Sequence, residues 1–437
     1  MSRTRFSTRA VAMEVRADAQ PGWTLVIEHI QTHAITRDDF DFVVNAQGTF
    51  SSAPFVPAVT GRNSFQGVIN HSSHMQSEDI LTSGNVVIVG CGRSGTDFAT
   101  HSARAKLGSK AETHLIARNL MWIVPQYILG IHADILLYNR LTTAMMPAWF
   151  HLPFEAGLHK SGKEAVASTN ILDNCSFVVR KFWGFIQWAV KTSSGLTSRS
   201  AMLPSHSIMD ELRGQIAMEP SGFFRFIRQN AIQVHRTSIS RLSERSVHLD
   251  DGTTLNNVDT IIFATGFDFR QHILLPPGKE HLVEHDGIYL YRHLLHPELE
   301  NMAFVGKNQA LLTLPIAEMS SHWISSYLRG TLILPSKRDQ LESIAALRAW
   351  KRANITVSVV RANDVGPRFQ QHLDELCTDL GIMPFRKVQR LGGWWNPLGW
   401  VFEMLGAAGP KDYEFGAVRR ELETVRKARD GAEAKEE

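Results

Sequence analysis

The sequence is short of cysteine, of long apolar runs and of one-sided charge, and each shortage excludes a class of protein. Three cysteines in 437 residues, Cys91, Cys175 and Cys377, lie far apart and are odd in number. They form no metal-ligand spacing and no disulfide framework, which fits a reducing, cytoplasmic setting. No apolar run approaches the roughly 20 residues that cross a bilayer. The opening MSRTRFSTRAVAMEV lacks the continuous apolar core of a signal peptide. The most apolar late segment, LGGWWNPLGWVFEMLGAAG over 391–409, is broken by Asn396, Pro397 and Glu403. It is expected to form a packed hydrophobic cap, so membrane association is not indicated. A net charge of +3, from 46 basic and 43 acidic residues, is too small and scattered to make a nucleic-acid face. With 43% hydrophobic and 20% charged residues, the chain has the composition of a globular protein with room for two or three domains.

What remains is an alternation of strands and helices. Val11, Met13 and Val15, then Trp23, Leu25 and Ile27, recur at every second position and predict two early strands. DFVVNAQG (41–48) predicts a short buried strand ending at glycine, and DTIIFATG (259–266) repeats its pattern 218 positions later. VHLDDGTTL (247–255) reads as a hairpin around Asp251-Gly252. Helices are expected from about Pro315 to Arg329, over 336–355 and over 368–380, and the aromatic-rich stretch 120–225 reads as helices and loops. Such alternation argues for a parallel α/β sheet.

One stretch carries chemistry. VVIVGCGRSGTDFA (86–99) places Gly90, Gly92 and Gly95 between a strand and a helix, and His114–Ala117 supplies the second strand of the unit. In a Gly-x-Gly-x-x-Gly turn the first glycine makes the bend and the second admits a diphosphate. The third lets helix and strand pack closely. The helix amino terminus then faces the phosphates, with Ser94 in its first turn. Glu112 lies before the second strand, at the wrong end to bind ribose hydroxyls, whereas Arg118 stands at the carboxyl end. A guanidinium there suits a 2′-phosphate, pointing to NADPH rather than NADH. Gly92-Arg93-Ser94-Gly95-Thr96 fails the Gly-x-Ser-x-Gly pattern of a hydrolase at its last position. His71 and His74 lack a third ligand, so no metal site is expected.

Just ahead of this turn, SFQGVINHSSHM carries Phe65, Gly67 and His71, a pattern that resembles the Phe-x-Gly-x-x-x-His signature of flavin-containing and Baeyer–Villiger monooxygenases. Four positions on, where that family has an aromatic residue, this chain has Met75. The likeness continues through ARNLMWIVPQYILG, FATGFDF, YRHLLHPELENMAFVG, PIAEMSSHW and HLDELCTDLGIMP. It implies a three-layer, Rossmann-like α/β flavoprotein fold with two dinucleotide-binding domains. An NADP(H)-binding domain (58–267) would be inserted between the two parts of an FAD-binding domain (1–57 and 268–390), with a cap and charged tail at 391–437. In that family NADPH reduces FAD, and a flavin hydroperoxide formed with O2 oxygenates a small substrate, by N/S-oxygenation or by Baeyer–Villiger reaction. By the resemblance, Gly90, Gly92, Ser94, Gly95 and Arg118 would hold NADPH, and Thr265, Gly266, Asn308 and Gln309 would lie near the flavin. His71 would shape the crossing between domains, Gln47 stands where the family has threonine, and no catalytic acid or base is implied.

A second Gly-x-Gly-x-x-Gly, the one the family uses for the FAD diphosphate, is absent from the sequence. The fold is therefore expected to be amino-terminally truncated. Three explanations stand together: a start set too late, a partner chain that supplies the unit, or a catalytically inactive NADP(H)-binding descendant.

Overall fold

The computed structural model describes residues 4–48, 53–74, 79–82, 84–137, 139–147, 176–213, 217–268, 273–310, 313–355, 360–366, 368–382 and 395–405. In chain order the elements used below begin with β1 (Thr8–Val15), β2 (Trp23–His29), β3 (Ile35–Phe40), β4 (Val43–Asn45), β5 (Val68–His71) and β6 (Asn85–Val89). Then come α1 (Arg93–Ala105), β7 (Thr113–Ile116), α2 (Ser176–Ser194), α3 (Phe223–Arg228) and β8 (Gln233–His235). Next are β9 (Ile239–Ser243), β10 (Ser246–Leu249), β11 (Thr254–Leu255), β12 (Val258–Phe263) and β13 (Met302–Phe304). The series closes with β14 (Gln309–Ala310), α4 (Thr313–Leu328), α5 (Lys337–Asn354), β15 (Asp364–Gly366), α6 (Phe369–Asp379) and α7 (Pro397–Leu405).

The chain divides into two compact units. The second comprises Ala53–Tyr138 and Phe177–Asp268, and the first comprises the remainder, including Asn139–Ser176. Residues 139–147, which the sequence expectation placed inside 58–267, group with the first unit. An ion pair and a neutral hydrogen bond hold them there: Arg140 Nη1 lies 2.7 Å from Asp374, and the Thr143 hydroxyl donates to Gln370 at 2.8 Å.

The second unit is built on a five-stranded sheet in the order β8-β7-β6-β12-β5, every pair parallel. Its central strand, NVVIV, is buried on both faces, as a parallel strand covered on each side must be. Alternation sorts its side chains. Val86 and Ile88 pack with Ala99 and Ala103 of α1 and Phe223 and Phe226 of α3. Val87 turns the other way, into a core with Leu242, Val247, Leu249 and Leu255 of the antiparallel sheet β9-β10-β11. Three layers result, and the hairpin at Asp251-Gly252 turns with Gly252 at φ 88°.

The first unit contains the antiparallel sheet β1-β2-β3 and the parallel pair β4-β13. Its core gathers Met13, Val43, Leu290, Leu299, Met302 and Phe304. Within this unit α4 packs against α6.

Several elements depart from the sequence expectation. ITRDDF (β3) is an exposed, charged edge strand with no apolar alternation to reveal it. VINH (β5) is four residues long and ends in two polar ones, which hides it equally well. Within 120–225, Ile123–Val124 pairs in parallel with Ala217–Met218, and runs of two residues leave no periodic signal. The cap expected over 391–409 is described only at 395–405, where Trp395 is 96% exposed and Leu398, Phe402 and Leu405 of α7 face outward while α7 also meets the helix Arg140–Ala144. Residues 383–394 and 406–437, with the charged tail, lie outside the described residues, as do Cys175 and Met75.

Candidate functional site

Register brings the candidate residues of the second unit to one edge. His71 pairs with Phe263, Phe263 with Val89, Val89 with Ile116, and Ile116 with His235. Five parallel strands thus end in a row, and the segment after each strand emerges at the same carboxyl edge. In open α/β sheets, ligands bind in the crevice outside this edge, where the strand order reverses. Here the reversal falls at β6, with β7 on one side and β12 on the other.

The turn after β6 shows why each glycine is required. Gly90 sits at φ 111°, and a β-carbon there would lie 2.4 Å from the Ala264 carbonyl oxygen. A β-carbon on Gly95 would lie 1.9 Å from the Gly90 carbonyl oxygen. Gly92 differs: its φ of −76° suits any residue, and a β-carbon would meet nothing within 4 Å. The outer two glycines serve the packing of the turn, and the middle one keeps a space clear. The turn is pinned by Gly90 N–H to Ile116 O (2.9 Å) and Ala264 N–H to Val89 O (2.8 Å).

The first helical bond of α1 is Thr96 N–H to Gly92 O at 3.0 Å, so the amides ahead of it have no acceptor within the helix. Arg93 is held along the helix by Asp97 (2.9 Å) and by the Met218 carbonyl (3.2 Å), while Ser94 is exposed. Cys91 is buried, and burial, with a lesser contribution from the Glu211 charge, pushes its thiol up to about 12. It is therefore no nucleophile. Free amides, an open Gly92 face and a helix amino terminus together fit a dinucleotide diphosphate.

Arg118 stands two residues beyond β7, exposed and without an ion pair among the described residues. Glu112 lies at the opposite end of that strand, where it hydrogen-bonds His114 at 3.1 Å and Gln233 at 3.3 Å. Arg118→Ala is expected to weaken NADPH binding about 10- to 100-fold while leaving NADH binding nearly unchanged, as loss of a charge-assisted phosphate contact would. Paired titrations with the two nucleotides measure it.

His71 closes the edge at β5. Its Nδ1 accepts the Ser73 N–H at 3.2 Å, and its Nε2 lies 2.9 Å from the Gly266 carbonyl, to which it donates. The ring also meets Phe267 edge-on at 5.5 Å. The same Gly266 carbonyl accepts the Phe55 N–H at 2.9 Å, and the Thr265 hydroxyl donates to the Phe55 carbonyl. His71 thus ties β5 to the place where the chain leaves the unit. Burial holds its pKa below the usual 6.5. The neutral ring is the native form, so its contribution to stability is complete above pH 6.5 and declines as pH falls below it. His71→Phe keeps the volume and removes the donor. It should cost about 1 kcal/mol near pH 7, and its melting temperature should fall less steeply between pH 7 and 5 than that of the parent chain. His74 lies 6.3 Å from His71 ring to ring, and no group of three metal-binding side chains occurs among the described residues.

Asn308 and Gln309 belong to the first unit, after β13. Val305 N–H donates to Asn45 O at 2.9 Å, continuing the ladder of β4 and β13 toward this end. Asn45 is buried and donates to Gln47 Oε1 at 3.0 Å, while Asn308 is also buried. Gly306 takes φ 69° with open space where a β-carbon would stand. Lys307, which the sequence reading passed over, is buried between them. A lysine directly after a strand and glycine was the signal available for it. These polar groups at a parallel strand end fit part of a flavin, although no described residues of this unit form a Gly-x-Gly-x-x-Gly cradle.

The fold and these two strand-end sites define a class, the α/β flavoproteins with two dinucleotide-binding domains. The chain belongs to the flavin-binding monooxygenase-like family, whose model matches residues 2–153 and 224–389. Flavin-containing monooxygenases of this family are oxidoreductases dependent on FAD and NADPH. A probable flavin-containing monooxygenase 1 of Arabidopsis thaliana is 26% identical, over 92% of this chain and 74% of its own length. Human flavin-containing monooxygenase 2 is 23% identical over 79% of this chain, which spans only 58% of that relative. Among solved structures, cyclohexanone monooxygenase from Rhodococcus sp. Phi1 bound to NADP+ aligns with TM-score 0.53 and 16% identity, over 80% of this chain and 71% of that one. S-allyl-L-cysteine S-oxygenase from Allium sativum aligns with TM-score 0.51 and 16% identity, over 95% of this chain and 71% of that one. Among the described residues no helix is long and apolar enough to cross a membrane.

Proposed function

We propose that this chain is an FAD- and NADPH-dependent monooxygenase that adds one oxygen atom from O2 to a small organic substrate. The NADP(H) domain would be 58–267, and the FAD domain its flanks, 1–57 and 268–390. The observation that carries the reading is the turn at 90–95, where two glycines admit no side chain and a third leaves the diphosphate approach open. The Gly92–Gly95 amides would bind the diphosphate, Arg118 the 2′-phosphate, and His71 would hold the Gly266 strand end in place. Thr265, Gly266, Asn308 and Gln309 would line the flavin side. When bound, FAD supplies the redox chemistry, passing electrons from NADPH to O2. The protein's part is to orient the nucleotides and exclude water. A relative named for oxygenating sulfur and another for cyclohexanone support soft sulfur or nitrogen nucleophiles and ketones as substrate classes.

A second reading, a non-catalytic NADP(H)-binding protein, is favoured by one observation: the sequence carries a single Gly-x-Gly-x-x-Gly. Purification followed by visible absorption separates the two. A yellow protein, or one reconstituted with FAD, that consumes NADPH faster with an organic sulfide or ketone supports the enzyme. A colourless protein that binds NADPH but takes up no FAD overturns it.

A further inference from the structure

Lys307 is 9% exposed, and no hydrogen bond or ion pair links it to any described residue. Asn308 beside it is 3% exposed and equally unengaged among those residues. The polar ends of Lys307 and Asn308 are not fully enclosed, so they meet open space inside a mostly buried setting. Holding an ammonium there without a counter-charge is costly unless a ligand or partner completes it. Burial pushes the Lys307 ammonium below its usual range, and no carboxylate opposes that effect.

Its surroundings narrow the choice of ligand. Lys307 follows β13, whose partner β4 runs parallel, so Asn45 and Gln47 end one strand and Asn308 and Gln309 follow the other. Neutral amides offer both donors and acceptors. Diphosphates are met instead by glycine turns and helix amides, as at Gly90–Gly95. Asn45 and Gln47 bond to each other, which leaves the Asn308 amide, donor and acceptor at once, beside one cation. That pair suits the uracil-like edge of an isoalloxazine ring, which becomes anionic when the ring is reduced. On the reading that the first unit binds FAD, we infer that Lys307 is the counter-charge for the pyrimidine edge of the flavin and favours reduced over oxidised FAD.

The test compares the full chain with Lys307→Met and Lys307→Arg, measuring FAD affinity in the oxidised and dithionite-reduced states and the two-electron potential of the bound flavin. Lys307→Met should weaken reduced FAD at least tenfold more than oxidised FAD, lowering the potential by about 30 mV per tenfold. Lys307→Arg should restore most of the difference. Equal weakening of both states would assign the lysine to the diphosphate and overturn the inference, as would an unchanged ratio in Lys307→Met. A parent chain that takes up no flavin would overturn the inference together with the proposed function, whereas flavin uptake with an unaltered ratio removes the inference alone.

Discussion

Gly95→Ala is expected to abolish NADPH binding and to destabilise the second unit by about 1–3 kcal/mol, the usual cost of forcing an atom into a filled site. The added methyl would stand 1.9 Å from the Gly90 carbonyl oxygen, which is backbone and has no free rotamer to take. The α1 amino terminus would have to move off the turn that holds it. Gly92→Val should behave in the opposite sense. Its φ of −76° is ordinary, and a β-carbon meets nothing within 4 Å, so folding should be nearly unaffected. The side chain would nonetheless fill the space left for the diphosphate, and NADPH affinity should fall 100-fold or more. Thermal melts and nucleotide titrations on both variants decide the matter. A Gly92→Val chain that melts normally and still binds NADPH tightly would remove the turn from the site.

Arg292→Met should cost about 3–5 kcal/mol, since it leaves two carboxylates buried without their cation. Arg292 Nε lies 2.9 Å from Asp379 Oδ2, its Nη1 lies 3.3 Å from Glu375, and Trp323 Nε1 donates to the same Asp379 oxygen at 2.9 Å. The arginine is held at φ 53° and its neighbour His293 at φ 59°, a left-handed pair that bulky residues rarely adopt. The surrounding ion pairs offset that strain. Arg292 and His372 bring Glu375 down to about 2 against the burial that would raise it. Its folded pKa lies below the ordinary 4.5, so its contribution is complete above that pH and is lost as pH falls toward 2. Asp379 runs the other way, raised by burial despite Arg292. The penalty of Arg292→Met should therefore shrink on acidification, as measured by denaturant titrations at pH 7 and pH 4. A penalty independent of pH would mean that packing, not charge, sets it.

The parts of the fold legible in the sequence are those where one physical demand dominates. β6 and the Ile261–Phe263 end of β12 are buried on both faces and so read as apolar runs, and α5 and α6 carry helical periodicity. The Gly90–Gly95 turn is legible because its three glycines answer separate steric needs, two of them now visible as carbonyl oxygens in the way of a β-carbon. β5 and β3 were hidden because an edge strand borrows its order from its neighbour. Thr36 and Arg37 show nothing until Ile27 and Val26 of β2 stand opposite them. Lys307 was hidden for another reason. Its burial follows from a strand pairing across more than 250 positions, β4 with β13, and no local pattern records such a partner.

The strand end DTIIFATG acquires a further meaning from the backbone at the ends of the second unit. Phe55 N–H donates to Gly266 O, Asp268 N–H donates to Ala53 O, and Pro54 pairs antiparallel with Phe267. The unit begins and ends on two hydrogen-bonded strands, with its termini in contact. On the proposed reading of this unit as an insertion in an FAD domain, some two hundred residues are then equivalent, for the host chain, to a tight loop. The entropy of closing it is met within the insertion's own sheet rather than by its surroundings, and it grows only logarithmically with the length enclosed. The stretch between the two halves of the unit is the exception: Arg140 pairs with Asp374, so residues 139–147 group with the first unit.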